Sequence, residues 1–169
     1  MKTPSYCLLC AAPLVVQQHG GEDRLACERE ECGFVYWDNP KPVVAGVLEL
    51  DGEIVLVRNQ GWPEKWFGLV TGFLERGETP EEGILREIKE ELNIDGDVVE
   101  LIGLYPFEQT NEIIIAYYVR GTGEVTLNEE LEAFKLFAPQ KLRPWPFGTG
   151  LAVRDWLRRY QPNSPHLES

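Results

Sequence analysis

No apolar run in this chain is long enough to cross a bilayer, which excludes a helical membrane span. The N-terminus carries no basic-then-apolar leader of the secretory kind, so the expected location is cytoplasmic. Histidine occurs only at His19 and His166, outside any cluster, and both read as surface residues. Basic residues are few: 16 Lys and Arg stand against 28 Asp and Glu, for a net charge of −12 and a pI of about 4.6. Such a surface repels polyanions and disfavours broad binding of nucleic acid or anionic membrane. It still permits a small phosphate ester in a cleft, because a bound cation reverses the local field. Cysteine is limited to four residues, all within the first 32 positions. There are no internal repeats.

What is present suffices for a packed domain. Of 169 residues, 43% are hydrophobic and 11% aromatic. That supports one core and a small appendage. The appendage is the stretch 1–37. Cys7 and Cys10 form a C-x-x-C knuckle, and Cys27 and Cys32 a C-x4-C knuckle followed by Gly33. A turn at Gly20-Gly21 lies between them. Too few apolar residues occur here for an unaided core, so a staple is needed. Four thiolates in two close pairs suit tetrahedral Zn²⁺. Disulfides would require an oxidising compartment, of which there is no sign. A redox C-x-x-C lacks its βαβ setting. Glu22, Asp23, Glu28, Glu30 and Glu31 outnumber Arg24 and Arg29, which argues against nucleic-acid binding by the ribbon. A folding staple that packs on the main domain or on a second subunit is the expectation, and a homodimer is compatible with it.

Residues 38–161 read as the main domain, and 162–169 as a frayed tail. Trp37 to Pro42 is an extended linker. Val43–Leu50 and Glu53–Arg58 are strands joined by a type I′ turn at Asp51-Gly52. Trp66–Val70 is expected as a short strand. Val98–Phe107 and Glu112–Arg120 are strands, the second apolar on both faces. Gly121-Thr122-Gly123 reads as a turn, Ala133–Ala138 as the last strand and Leu151–Tyr160 as the second helix. Strands with one helix in the middle and one at the end imply an α/β fold, a mixed sheet between helices in an α/β/α sandwich.

The first helix organises the chain. Thr79 suits the N-cap, Pro80 the first turn and Glu82 the capping box. The helix should run to Leu92, with Asn93 taking the left-handed position after it. At roughly 100° per residue, Ile84, Leu85, Ile88 and Leu92 share one arc. Glu87, Glu90 and Glu91 form a second arc beside it. Carboxylates at these spacings repel, and a hard divalent cation such as Mg²⁺ would remove the repulsion. On helix periodicity alone, a solvated acidic face is an equally good reading.

The wider spacing separates the two. Gly72, Glu78, Arg86, Glu87, Ile88, Glu90, Glu91, Asn93 and Ile94 follow G-x5-E-x7-R-E-U-x-E-E-x-G-U, where U is bulky and apolar. Only Asn93 departs, and asparagine tolerates the conformation of the glycine it replaces. The pattern resembles the Nudix box, the signature of hydrolases acting on nucleoside diphosphates linked to another group. The resemblance implies that Glu87, Glu90 and Glu91 hold Mg²⁺ or Mn²⁺, with the Gly72 carbonyl as an added ligand. It implies that Glu78 pairs with Arg86, which orients Glu87. The general base would be Glu87 or a loop glutamate among Glu108, Glu112, Glu129, Glu130 and Glu132. Glu130 is favoured, because Glu-Leu ahead of an apolar strand ending Leu136-Phe137 resembles the end of the family's domain. Val70-Thr71 stands where the family often has Pro-Gly, which places the loop carbonyl differently.

A zinc ribbon ahead of such a domain is similar to the NADH pyrophosphatase branch and to relatives acting on FAD or ADP-ribose. Tyr105 to Thr110 lacks the Ser-Gln-Pro-Trp motif of NADH-specific enzymes, which points away from NADH as preferred substrate. Trp62, Phe107 and Phe147 are candidates to stack on a base. The leading expectation is a metal-dependent hydrolase that splits a nucleoside diphosphate derivative into two monophosphates. The alternatives are a weakly catalytic sensor of ADP-ribose or NAD, and a ribbon that binds nucleic acid. Capped RNA ends fall within the first reading.

Overall fold

The computed structural model describes residues 3–163. The expectations for His166 and for most of the tail lie outside the described residues. The chain divides into two compact units between Pro40 and Lys41.

In the first unit, strands β1 (Leu14–His19), β2 (Glu22–Cys27) and β3 (Val35–Tyr36) form an antiparallel sheet in that order. Gly20 and Gly21 close the first hairpin at φ of 64° and 86°, the two positive angles a type I′ turn needs. A single 3-10 turn over Glu30–Cys32 ends on Gly33. The buried residues are Cys7, Ala12, Ala26 and Cys27. That core is too small to hold the unit by hydrophobic burial.

The second unit contains β4 (Lys41–Leu50), β5 (Glu53–Asn59), β6 (Val70–Phe73), α1 (Pro80–Leu92), β7 (Asp95–Phe107), β8 (Glu112–Thr122), β9 (Leu131–Phe137) and α2 (Thr149–Tyr160). The main sheet runs β7-β8-β4-β5-β9, with β6 paired to β4. β4 and β8 are parallel and the other pairs antiparallel, so the sheet is mixed. Its helices occupy opposite faces, the α/β/α sandwich expected. Ile84, Ile88 and Leu92 of α1 pack with Val44, Leu48, Val55 and Val70. Val153, Trp156 and Leu157 of α2 pack with Ala45, Val47, Ile54 and Tyr118. The apolar run of β4 follows from this burial on both faces. At Gly46 an added Cβ would stand 3.1 Å from Ile84, so the glycine sets how closely α1 approaches the sheet.

β4 is shared along its length. Its C-terminal part, Leu48–Leu50, pairs with β5, while Val43–Gly46 pairs with β6. β5 therefore parts from β4 beyond Leu48, and the edge so freed recruits Val70–Phe73. This corrects the expected strand at Trp66–Val70. The strand starts at Val70 and includes Gly72. Trp66 instead closes a turn by donating its N–H to the Pro63 carbonyl at 2.8 Å, and only Gly68 bridges to Val57. Two smaller corrections follow from sheet pairing. β8 continues through Gly121 and Thr122 because β7, which begins already at Asp95, supplies partners there. Lys41 and Pro42 belong to β4 because β8 pairs with them at Glu112 and Ile113.

Ile88 is fully buried between α1 and the sheet. Ile88→Ala should cost about 2–5 kcal/mol, read as a lower urea midpoint with an unchanged slope.

Candidate active site

The register of α1 is fixed at both ends. Thr79 Oγ1 accepts from the Glu82 N–H at 3.2 Å, and the Glu82 carboxylate accepts from the Thr79 N–H at 2.8 Å. Pro80 follows the cap, and Asn93 stops the helix at φ 57°. Arg86 and the acidic residues then project toward β6 and its following loop.

Arg86 is the hub. Its Nε and Nη2 donate to the two oxygens of Glu78 at 3.0 and 2.9 Å, a bidentate pair. Nη1 donates to Glu87 at 2.7 Å and to Glu90 at 3.1 Å, and Nη2 reaches the Phe73 carbonyl at 3.1 Å. The Arg86 guanidinium, helped by the Glu75 N–H, holds the Glu78 carboxyl down at about 2. Gly72 is the space Glu87 occupies: a Cβ at position 72 would stand 1.9 Å from the Glu87 carboxyl carbon.

Glu91 is the buried polar residue of the site, 3% exposed, and its Oε2 has no hydrogen-bond partner. Burial pushes its carboxyl up to about 8, and the charges of Glu87, Glu130 and Glu90 add to the effect. Burial also pushes Glu87 up, against the pull of Arg86. An orphaned buried carboxylate among three others is costly unless a cation meets it. These donors are hard oxygens, so the set fits Mg²⁺ or Mn²⁺. Among the described residues the cysteines, and not the glutamates, gather within 4.8 Å of one another; Glu87 and Glu90 are instead both bonded to Arg86.

The loop before β9 brings Glu130 here. The N–H groups of Thr126 and Asn128 donate to the Leu92 and Glu91 carbonyls at 2.9 and 3.1 Å, pinning the loop on the end of α1. Asn128 Oδ1 accepts from the Glu130 N–H at 3.0 Å. Of the loop candidates, Glu130 is the one whose charge bears on Glu87 and Glu91. Glu132 pairs with Arg58 at 3.3 Å and Glu112 with Lys41 at 2.8 Å. Glu108 opens a short 3-10 turn after β7, and Glu129 lies exposed on the same loop as Glu130.

In the first unit the four thiols are free and converge within 4.8 Å of one another. Cys7 and Cys32 lie 3.6 Å apart, and Cys10 and Cys27 3.5 Å. Sulfurs around tetrahedral zinc, at Zn–S of about 2.3 Å, stand at similar separations. Burial pushes the Cys27 thiol up to about 12; the thiols of Cys10, Cys32 and Cys7 add to this, against the Arg29 backbone hydrogen bond. The four-sulfur cluster fits Zn²⁺.

The opposite face of β6 borders a cavity of about 580 Å³. Its aromatic walls are Trp62, Trp66, Phe67, Phe107, Trp145 and Phe147, and its polar groups are Lys65, Thr71, Glu112 and Thr149. Trp62 lies against Gly68, where an added Cβ would stand 3.3 Å from its ring. Phe107 packs on Gly148.

A NUDIX domain model matches residues 40–160. The chain belongs to the Nudix family. It is 32% identical over 127 residues to the ADP-ribose pyrophosphatase of Methanocaldococcus jannaschii, covering 71% of this chain and 75% of that one. It is 23% identical over 149 residues to the NAD-capped RNA hydrolase NudC of Pseudomonas fluorescens, covering 87% of this chain and 52% of that protein. The chain thus spans about half the length of that relative. The crystal structure of a NUDIX hydrolase from Nitrosomonas europaea aligns with a TM-score of 0.76 at 21% identity, covering 94% of each chain. Family and relatives together mark a Nudix pyrophosphohydrolase. No helix among the described residues is long and apolar enough to cross a membrane.

The Nudix box residues Gly72, Glu78, Arg86, Glu87, Glu90 and Glu91 meet in one place, and Glu130 joins them from the loop before β9. Trp62, Phe107 and Phe147 line the cavity. Sequence reasoning missed Trp66, Trp145 and Thr71 there and took Glu112 for a candidate base. The clustering of tryptophan and phenylalanine in two proline-bearing loops, 62–67 and 144–147, was the available signal.

The Glu78 carboxyl should titrate near pH 2, against about 4.5 ordinarily, in a carbon-detected NMR titration. Arg86→Met should move it back upward. Because the folded value is depressed, the stability that Glu78 contributes is complete above the ordinary range and drains away as pH falls toward 2.

Proposed function

We propose that this Nudix protein hydrolyses the diphosphate of an adenosine diphosphate derivative, of the ADP-ribose, NAD or FAD class, to two monophosphates. The observation that carries this reading is the buried, unpartnered carboxylate of Glu91 beside Glu87, Glu90 and Glu130, with an aromatic cavity across β6. The names of the relatives, ADP-ribose pyrophosphatase and NAD-capped RNA hydrolase, support the substrate class. The second keeps a capped RNA end within it, since the cleft would engage the diphosphate and not the polymer.

Glu87, Glu90 and Glu91, with the Gly72 carbonyl, would hold Mg²⁺ or Mn²⁺. Such ions neutralise the diphosphate oxygens and lower the pKa of water. Arg86 holds Glu87 and Glu90 at fixed positions, and Glu78 holds Arg86. Glu130, whose charge bears on Glu87 and Glu91, would take a proton from the attacking water. The water oxygen bonds to one phosphorus, and the bridging oxygen leaves with the other phosphate.

Chromatography of ADP-ribose, NAD, NADH and FAD after incubation with Mg²⁺ should show AMP and the partner monophosphate from at least one of them. Glu90→Gln should lower that rate about a hundredfold or more, the scale of metal-held charge stabilisation. Binding of these compounds without turnover in either Mg²⁺ or Mn²⁺ would instead identify a sensor.

The first unit would be a zinc ribbon whose metal is structural. The purified chain should carry about one zinc per molecule by mass spectrometry. Cys27→Ser or a strong chelator should remove it and cost the unit its amide-exchange protection.

A further inference from the structure

We propose that Asn128 is a positioning residue for hydrolysis, holding Glu130 against the C-terminal end of α1. The inference rests on the function proposed above, with Glu130 as the acceptor of the water proton.

Glu130 is an exposed residue on a loop, and its side chain is long and flexible. A general base must lie within hydrogen-bond reach of the proton it takes. A misplacement of about 1 Å can cost about a hundredfold in rate. A loop glutamate in this role therefore needs its backbone fixed relative to Glu87, Glu90 and Glu91.

α1 supplies the anchor. The last carbonyls of a helix have no partner within it. Two of them, on Glu91 and Leu92, accept from the N–H groups of Asn128 and Thr126 at 3.1 and 2.9 Å. Val125 and Leu127 pack against the cluster that contains Ile84, Ile88 and Leu92. The loop thus closes the end of the helix with both its backbone and its apolar side chains.

Asn128 carries this anchoring to Glu130. Its N–H donates to the Glu91 carbonyl, and its Oδ1 accepts from the Glu130 N–H at 3.0 Å. Asparagine readily makes such a bond to the backbone two residues on. One residue thereby joins the backbone of a buried helix glutamate to the backbone of the loop glutamate. The other side of Glu130 is held by the chain that leaves β5. The Gln60 N–H donates to the Glu130 carbonyl at 2.8 Å, and the next residue, Leu131, is buried. The register slips here, with Arg58 opposite Ala133 and Asn59 opposite Leu131, an irregularity of the kind that re-aims side chains beside active sites. Both backbone polar groups of Glu130 are therefore bonded, the carbonyl by a main-chain donor and the N–H by the side chain of Asn128.

The test is steady-state hydrolysis with Mg²⁺ of whichever of ADP-ribose, NAD, NADH and FAD the wild type splits. Wild type is compared with Asn128→Ala, Asn128→Ser, Glu130→Gln and the Asn128→Ala Glu130→Gln double variant. Asn128→Ala should lower kcat about tenfold or more with KM within about twofold, the pattern of an interaction that matters only in the transition state. Asn128→Ser keeps an acceptor without adding charge and should recover most of the rate. In the Glu130→Gln background Asn128→Ala should cost nothing further, because residues that act through one another are not additive. A readout that needs no turnover is amide exchange by NMR. In Asn128→Ala the Glu130 N–H should exchange about tenfold faster, the scale of one lost hydrogen bond, while the α1 amides keep their protection and report an intact fold. An unchanged kcat in Asn128→Ala overturns the inference, as does a serine variant no better than alanine, a loss that persists in Glu130→Gln, or unaltered exchange at Glu130. Wild type that splits none of the four compounds removes the hydrolase reading and the inference with it. Wild type that turns over while Asn128→Ala keeps pace removes the inference alone.

Discussion

The second unit depends on how it tolerates four carboxylates in one place. Burial chiefly drives the Glu87 and Glu91 carboxyls upward, and the charges of Glu90 and Glu130 bear on both. Arg86 is what makes the arrangement foldable before any ligand arrives. Its five donors reach Glu78, Glu87, Glu90 and the Phe73 carbonyl. A lysine could not span them, because a point charge on a flexible stem lacks the planar fork. One guanidinium thus ties α1, the end of β6 and the loop between them. Glu91 lies beyond its reach and keeps a buried oxygen without a hydrogen-bond partner.

The same economy appears in β6. It is four residues long and pairs with Val43–Gly46, the part of β4 ahead of the Leu48–Leu50 stretch that β5 takes. Its alternation gives one face to the acidic helix and the other to the aromatic hollow. A side chain at position 72 would displace Glu87, and the absence of one lets the helix carboxylate lie against the strand. The sheet therefore does more than support the site. It separates a polar, charge-crowded compartment from an apolar one across a single strand, which suits a ligand with a charged middle and a flat end.

Much of this was legible in the residues. The cap at Thr79, the stop at Asn93 and the apolar stripe of α1 depend on contacts within a few residues, and all three stand as the sequence implied. So do the hairpin turns at Gly20-Gly21 and Asp51-Gly52, whose positive φ angles are local requirements. The box spacing located the acidic site because a helix converts spacing into direction without help from the rest of the fold. The β6 strand was misplaced because its existence depends on where β5 departs from β4, a non-local event. Glu112 was read among loop bases because it stands next to a turn in sequence. Parallel pairing of β4 with β8 sets it opposite Lys41 and against the cavity.

The sequence by itself determined the helix, its caps, the acidic set and the two cysteine pairs, since each is written in spacings shorter than one element. Only the tertiary structure decided that Glu91 is the buried member of that set, that the loop before β9 delivers Glu130, and that six aromatic residues from two loops and the end of β7 line one hollow. The reason is physical. Burial and convergence depend on which distant segments pack together, and pairings of that range are settled by the whole sheet and its two cores.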